Sequence, residues 1–321
     1  MGDSSMIDIV TIGETMVLFY PFENRPLKYT SLFSKTIAGA ESNVAIGLSR
    51  LGKNTRWIGR LGKDPFGDMV ISTLTSENID LSKVIRDESD FTSVFFKDMN
   101  RFGDPEVFYY RKGSASSKWE PKHVKKDWFE DSRILHMSGI TPALGINTLS
   151  FTRECMKVAK SLGLTISFDP NIRHKLWTEE NSREALLSLV PLSDIFLPGI
   201  EEAKFLLGDK PVEQLAKEFI SMGPATVAIK LGEEGAFGMS KEGDAYMVPG
   251  EKTNNIVDTV GAGDAFATGF LSIVADDPTN FSLMVALSRG NKLGSIVIQE
   301  KGDWETLPSL KMIENTPVKS R

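Results

Sequence analysis

The sequence predicts an α/β fold: a mainly parallel central sheet with helices on both faces, interrupted by a small β excursion. Between Ile134 and Lys230, short apolar runs alternate with segments of helical period, the pattern of a parallel sheet covered on both sides. Between Phe91 and Arg111, two aromatic, β-prone segments break that alternation and read as a hairpin. Near the C-terminus, Val257–Phe270 (VDTVGAGDAFATGF) joins a small glycine turn to an amphipathic helix with Asp264 in its first turn.

In chain order, Asp8–Gly13 (DIVTIG) is a first buried strand, and Phe19–Ser34 is aromatic, proline-bearing and irregular. Val44, Ile46, Leu48 and Leu51 predict a helix within Ile37–Gly52, stopped by Gly52. Gly47–Asn54 (GLSRLGKN) nearly matches a phosphate-binding loop. Its last residue is Asn54 instead of Ser or Thr, and its glycines lie within and after a helix, so it reads as a helix end. Thr55–Ile58 is a strand, Arg60–Gly67 a turn and Asp68–Glu77 a helix. The hairpin segments Phe91–Lys97 and Glu106–Arg111 flank Asn100–Pro105. Strands at Ile134–Met137, Leu164–Phe168, Asp194–Leu197 and Ala225–Lys230 then alternate with helices at Thr148–Leu162, Glu180–Leu189, Glu201–Leu207 and Val212–Ser221. Ala236–Ser240 and Ala245–Val248 form a second hairpin, a helix covers Ser282–Ile298, and 316–321 is expected to fray.

With 321 residues, 41% hydrophobic and 25% charged, the chain can bury a large core. Its 37 basic and 43 acidic residues give a net charge of −6 with no basic block, which argues against nucleic acid as a partner. No apolar run is long enough to span a bilayer, and Met1–Met6 lacks the charged-then-apolar pattern of an export leader. The single cysteine, Cys155, falls at helical spacing from Phe151 and Ala159 and reads as a small core residue. These features point to the cytoplasm. The histidines His123, His136 and His174 are scattered, so no protein-built metal cage is expected.

Gly261 and Gly263 let main-chain N–H groups approach an anion, and a helix N-terminus attracts negative charge. Spacing leaves two readings of the turn open: a carboxylate N-cap before a buried helix, or an anion hole with a base beside it. Ligands of open α/β sheets sit beyond the carboxyl ends of the strands. Gly13, Asp169–Arg173, Gly199–Glu202 and Lys230–Gly235 all fall there. That convergence favours the anion hole.

Three motifs in order resemble the pfkB (ribokinase-like) carbohydrate kinases. Val257–Phe270 matches the family's D-T-x-G-A-G-D signature, Ala38–Gly52 resembles its N-terminal motif, and Lys230–Ala236 (KLGEEGA) resembles its nucleotide loop. Within the family, Phe108–Ala115 (FYYRKGSA) and Asp169–Trp177 (DPNIRHKLW) resemble the segments of 2-keto-3-deoxygluconate kinases. The resemblance implies one ribokinase-like domain over 1–315, with a β lid contributed by about 14–36 and 90–113. It also implies ATP and Mg²⁺, leaves room for a monovalent cation, and makes a homodimer or higher homo-oligomer the default.

Residue by residue, the resemblance makes Asp264 the base and Gly261, Ala262 and Gly263 the anion hole. A carboxylate at a helix N-terminus is expected to stay ionised through the helix dipole. Gly39, Asn43, Phe95, Tyr109, Arg111, Arg173 and Asp303 fall on the sugar side. Gly199, Lys230, Gly232, Gly235, Ala236 and Asn291, with Gly261 and Gly263, fall on the ATP side, and Glu202 is the outer-shell magnesium acid, reached through water. Two arginines suit a sugar acid, whose carboxylate a guanidinium can hold by two hydrogen bonds.

Two positions depart from the pattern. Gly199 stands where the family has Asn, and Phe95 where the sugar-acid kinases tend to place Tyr. Phe95 keeps open a kinase for fructose or another small sugar. A non-catalytic sugar or nucleotide sensor would not require the intact GAGD turn. A dinucleotide-dependent oxidoreductase would require a strand–GxGxxG–helix unit that the sequence lacks.

Overall fold

Adjacent residues along the central strands point into two different cores, which is why these strands are apolar at nearly every position. The computed structural model describes residues 6–315 except 24, 99–105, 174 and 254. The chain begins with β1 (Ile7–Ile12), β2 (Met16–Pro21), β3 (Phe33–Ala38), α1 (Ala40–Arg50), β4 (Thr55–Ile58), β5 (Arg60–Gly62) and α2 (Pro65–Ser76). There follow β6 (Ile85–Asp87), β7 (Val94–Asp98), β8 (Glu106–Tyr110), β9 (Ser132–Ser138), α3 (Ile146–Ser161), β10 (Thr165–Asp169), α4 (Glu179–Leu189) and β11 (Ile195–Phe196). The remainder is α5 (Ile200–Leu207), α6 (Val212–Met222), β12 (Thr226–Lys230), β13 (Ala236–Ser240), β14 (Ala245–Val248), α7 (Ala262–Val274), α8 (Leu283–Val297) and α9 (Leu310–Asn315).

The central sheet has eight strands in the order β14-β13-β12-β11-β10-β9-β1-β4. All pairs from β4 to β12 are parallel, and β13 and β14 add antiparallel strands at one edge. Val10, Leu135, Ile166, Val227 and Ile229 pack toward Phe151 of α3, Leu186 of α4 and Phe219 of α6. Their neighbours Ile9, Ile134 and Ala228 pack on the opposite face, against Val44 and Leu48 of α1, Phe270 of α7 and Leu287 of α8. Cys155 is buried in the first core, as its spacing predicts, and burial pushes its thiol pKa well above the ordinary value.

A second sheet, β3-β2-β7-β8, stands apart from the first. It occupies part of the segment that reads as irregular: Phe19–Ser34 contains the second half of β2 and the start of β3. Strand β2 pairs with β3 on one side and on the other with β7, far along the chain, where Val17 lies opposite Val94 and no local pattern announces the pairing. The expected turn at Arg60–Gly67 likewise holds β5 and the start of α2. Asp64 caps that helix through Gly67 N, with Pro65 in its first turn. The expected Asn100–Pro105 turn and the tail 316–321 lie outside the described residues. Among the described residues no helix is long and apolar enough to cross a membrane.

Helix α7 carries the glycine turn at its start, and its seat is apolar. Phe270 is fully buried, 6.2 Å from the Phe266 ring and 5.9 Å from the Phe281 ring. Phe270→Ala should lower unfolding stability by about 3–5 kcal/mol, read from urea denaturation, because it empties the contact between α7 and the sheet.

Candidate active site

Several helices begin on a capping side chain: Asp64 for α2, Thr178 for α4 and Ser282 for α8. Helix α7 begins on Gly261 and has no side-chain cap. Its first-turn N–H groups and its dipole are thus available to an anion. Gly261 sits at φ +79°, and a Cβ there would lie 2.9 Å from Asp303 Oδ1, so both conformation and space demand glycine. Ala262 and Gly263 are the first helical residues. A Cβ on Gly263 would stand 3.7 Å from Lys230 Nζ, which puts that cation beside the helix start.

Asp264 is the third residue of α7 and not its N-cap. Its carboxyl is held from outside the helix: Asn43 Nδ2 donates to Oδ2 at 2.9 Å, and Asn171 Nδ2 donates to Oδ1 at 3.4 Å. The same Asn43 nitrogen donates to Asp303 Oδ1 at 2.8 Å, so one amide bridges two carboxyl groups. The expectation that the helix dipole keeps Asp264 ionised does not survive this geometry. Burial raises its pKa to about 8; Asp303 adds to the rise, and Asn43 and Arg173 only partly oppose it. Burial raises Asp303 to about 6 for the same principal reason.

On the other side of Gly263, Lys230 Nζ is 2.6 Å from Asp169 Oδ2. Burial pulls the lysine pKa down, but Asp169 and Glu202 outweigh it and hold the value above that of an ordinary lysine. Glu202 accepts from Ile172 N and Gly199 N, each at 2.7 Å, which makes it the reciprocal cap of α5. Burial raises its pKa, with Lys230 opposing. Gly199 is the N-cap of α5 and bridges Lys230 across the strand ends. Gly232 opens a short 3₁₀ turn and Gly235 closes it before Ala236 starts β13. Asn291 lies against this loop, its amide donating to Val248 O at 3.0 Å and Pro249 O at 3.2 Å. Its amide protons thus hold the end of β14.

The small sheet carries Phe95 and Tyr109, two of the residues expected on the sugar side. Phe95 and Tyr109 are directly paired and stacked, with ring centroids 5.4 Å apart. Lys97, on the same face, reaches Asp258 at 3.4 Å, and Thr36 joins Trp304 and Glu305 beside Asp303. Arg173 is exposed near Asp264 and Asp303, and its charge opposes the rise of both pKa values. Arg111 is buried and paired with Glu14, with its guanidinium over the Tyr109 ring. Gly39 caps α1 at the edge of this group.

Asp169, Asn171, Glu14 and Glu41 join the site without having been singled out. Asp169 and Asn171 ended a predicted strand in a DPN segment, a legible signal; Glu14 and Glu41 are single acids whose burial no local pattern reveals. Glu41 is fully buried against Ser138, and burial raises its pKa to about 7. Among the described residues no group of three or more His, Cys, Asp or Glu could cage a metal. A magnesium ion that arrives on nucleotide phosphates and keeps its waters needs no cage. Glu202 and Asp169 are the acids that flank Lys230 at this rim.

The pattern of the pfkB family carbohydrate kinases matches residues 6–310. The chain belongs to that family. The 2-dehydro-3-deoxygluconokinase of Bacillus subtilis (strain 168) is 40% identical over 305 residues, covering 94% of this chain and 93% of the relative. The 2-dehydro-3-deoxygalactonokinase of Haloferax volcanii is 33% identical, with 86% and 87% covered. Among solved structures, a PfkB protein from Polaromonas sp. JS666 superposes with a TM-score of 0.88 at 36% identity, covering 97% of this chain and all of that one. A putative ribokinase II from E. coli, in complex with ATP and Mg²⁺, gives 0.86 at 25% identity, with 96% and 98% covered. This pfkB chain is therefore an ATP-dependent carbohydrate kinase with a ribokinase-like fold.

The raised pKa of Asp264 bears on the kinase's stability. The unfolded chain releases this proton from about pH 4 upward, whereas the folded protein holds it to about pH 8. Between those values the folded state binds more protons, so this group's contribution to stability falls as pH rises. Asp264→Asn should therefore melt a few degrees above the parent at pH 8, with a smaller difference at pH 5. A melting-temperature difference that does not grow with pH would contradict the assignment.

Proposed function

We propose that this kinase transfers the γ-phosphoryl group of ATP to a hydroxyl of a sugar acid, with 2-keto-3-deoxygluconate and its 6-phosphate the best-supported pair. The observation that carries the reading is the Asn43 bridge, which fixes the Asp264 carboxyl beside the uncapped start of α7. In its ionised form Asp264 takes the proton of the attacking hydroxyl as the oxygen bonds to the γ-phosphorus and ADP departs. The N–H groups of Gly261, Ala262 and Gly263, with Lys230 beside them, meet the charge on the transferring oxygens. Magnesium, bound to the phosphates and met through water by Glu202 and Asp169, would neutralise further charge there.

On the sugar side, Asn43 Oδ1, Thr15 Oγ1 and Arg111 Nε are buried without hydrogen-bond partners among the described residues. Acceptor, hydroxyl and donor together suit a polyhydroxylated ligand. Arg173 is the cation we assign to the acid's carboxylate, because Glu14 already engages Arg111. Phe95 offers only a ring face where a tyrosine would add a hydroxyl. The lid from 14–36 and 90–113 excludes water from the transfer. Its outer face shows Phe33, Phe108 and Tyr110, 39%, 40% and 60% exposed, the surface we assign to pairing with a second copy.

A coupled ADP-release assay over sugar acids and neutral sugars, with and without K⁺, tests the substrate. Sugar acids should show the higher kcat/KM, and equal turnover of fructose would overturn the acid assignment. In the same assay Asp264→Asn should lose at least about 10³-fold in kcat. With the parent, kcat/KM should rise with pH toward a plateau above about 8. Asp303→Asn, which removes the neighbouring negative charge, should move that rise to lower pH.

A further inference from the structure

The lid joins the main domain through four chain crossings: before β2, after β3, before β7 and after β8. The crossings meet at one residue, three of them through its side chain and the remaining one at its main-chain carbonyl. Glu14 lies in the first crossing and is only 2% exposed. Its Oε1 accepts from Ser93 Oγ at 2.7 Å, in the third crossing, and lies 3.5 Å from Ser114 Oγ, in the fourth. Its Oε2 is paired with Arg111, at the start of that fourth crossing. Its carbonyl oxygen would stand 2.4 Å from a Cβ on Gly39, the second crossing, so the chain passes there at a distance only glycine permits. Ser93 O also accepts from Val17 N at 3.1 Å, and Phe91 O from Ala115 N at 2.9 Å, which ties the crossings to one another.

A buried carboxylate with these partners has little freedom to move without disturbing the strands that hold them. Arg111 also links this junction to the stacked Tyr109 and Phe95 of the lid. One terminal nitrogen is spent on Glu14, the guanidinium lies 5.4 Å above the Tyr109 ring, and Nε is buried without a partner among the described residues. We propose that Glu14 is a positioning residue whose carboxylate pins the first of the lid's crossings to the third and fourth and aims Arg111 at the sugar, so that sugar recognition and lid position are coupled through one ion pair. The coupling to sugar rests on the proposed kinase reaction; the pinning does not.

The two parts are tested separately. Hydrogen exchange of the protein without substrates should be at least about tenfold faster in Glu14→Gln than in the parent at β7 and β8, with β9–β12 unchanged. Unchanged exchange in the lid, or equal acceleration in the central sheet, would overturn the pinning. If Glu14→Gln does not fold, Ser93→Ala removes one neutral bond of the same junction. It should accelerate the same two strands to a smaller degree, and no change there would again be decisive. For the coupling, Glu14→Gln and Arg111→Met should each raise the KM of the sugar about tenfold or more, with kcat and the KM of ATP changed far less. The double variant should be no worse than Arg111→Met alone. Additive losses, or equal losses in the KM of ATP, would show that Glu14 does not act through Arg111. If no sugar is turned over by the parent, the kinase reading fails, and the exchange arm still decides the junction.

Discussion

Asn43 donates from one amide nitrogen to Asp264 and to Asp303, at 2.9 and 2.8 Å, and so joins α1, α7 and the loop after α8. Two carboxyl groups this close repel when ionised, and recession from water raises the cost of charging either one. A shared donor is what makes the pair tolerable. It is placed by packing that has nothing polar in it: Val44 and Leu48 of α1 sit in the same apolar cluster as Phe266 and Phe270 of α7. The helix that carries the donor and the helix that carries Asp264 are thereby fixed to each other by apolar packing.

The opposite charge is held one strand end away. Lys230 closes β12 between Asp169 and Glu202, and those acids keep it protonated despite its burial. Glu202 is itself anchored by two main-chain N–H groups, and Asp169 ends β10. The cation therefore stands beside the start of α7, close enough to interact with Asp264 as well as with Asp169 and Glu202. In the proposed transfer, Lys230 and the first N–H groups of α7 are the positive ground that a phosphoryl group needs. The parallel sheet places Lys230 beside Asp169, because its strands all end along the same rim.

Much of this was legible in the chain. The strand at Thr55–Ile58 and the hairpin strands Ala236–Ser240 and Ala245–Val248 have the bounds their residues predict, because glycine, lysine and acidic residues punctuate short apolar runs. The glycine turn before α7 was readable from spacing, since Gly261 and Gly263 precede a clean helical period. Asn43, Asp303 and Lys230 were nameable through family resemblance, though not the bonds they make. Strand β2 was hidden because Val17 opposite Val94 is a pairing across remote sequence, and its edge partner β3 because the segment's own composition is irregular.

By itself, then, the sequence determined the order of the central-sheet strands and the helices between them, the glycine turn and the acid placed in it, because these follow from local periodicity and backbone freedom. Tertiary structure alone decided the protonation of that acid. Dipole reasoning applied to Asp264 in isolation predicts an ionised carboxylate; burial and the approach of Asp303 from the far end of the chain push its pKa to about 8 instead. It decided equally that Arg111 meets Glu14 and that Lys230 stands against Gly263. Such choices are made by distance and desolvation between residues remote in sequence, and no local pattern of residues encodes either quantity.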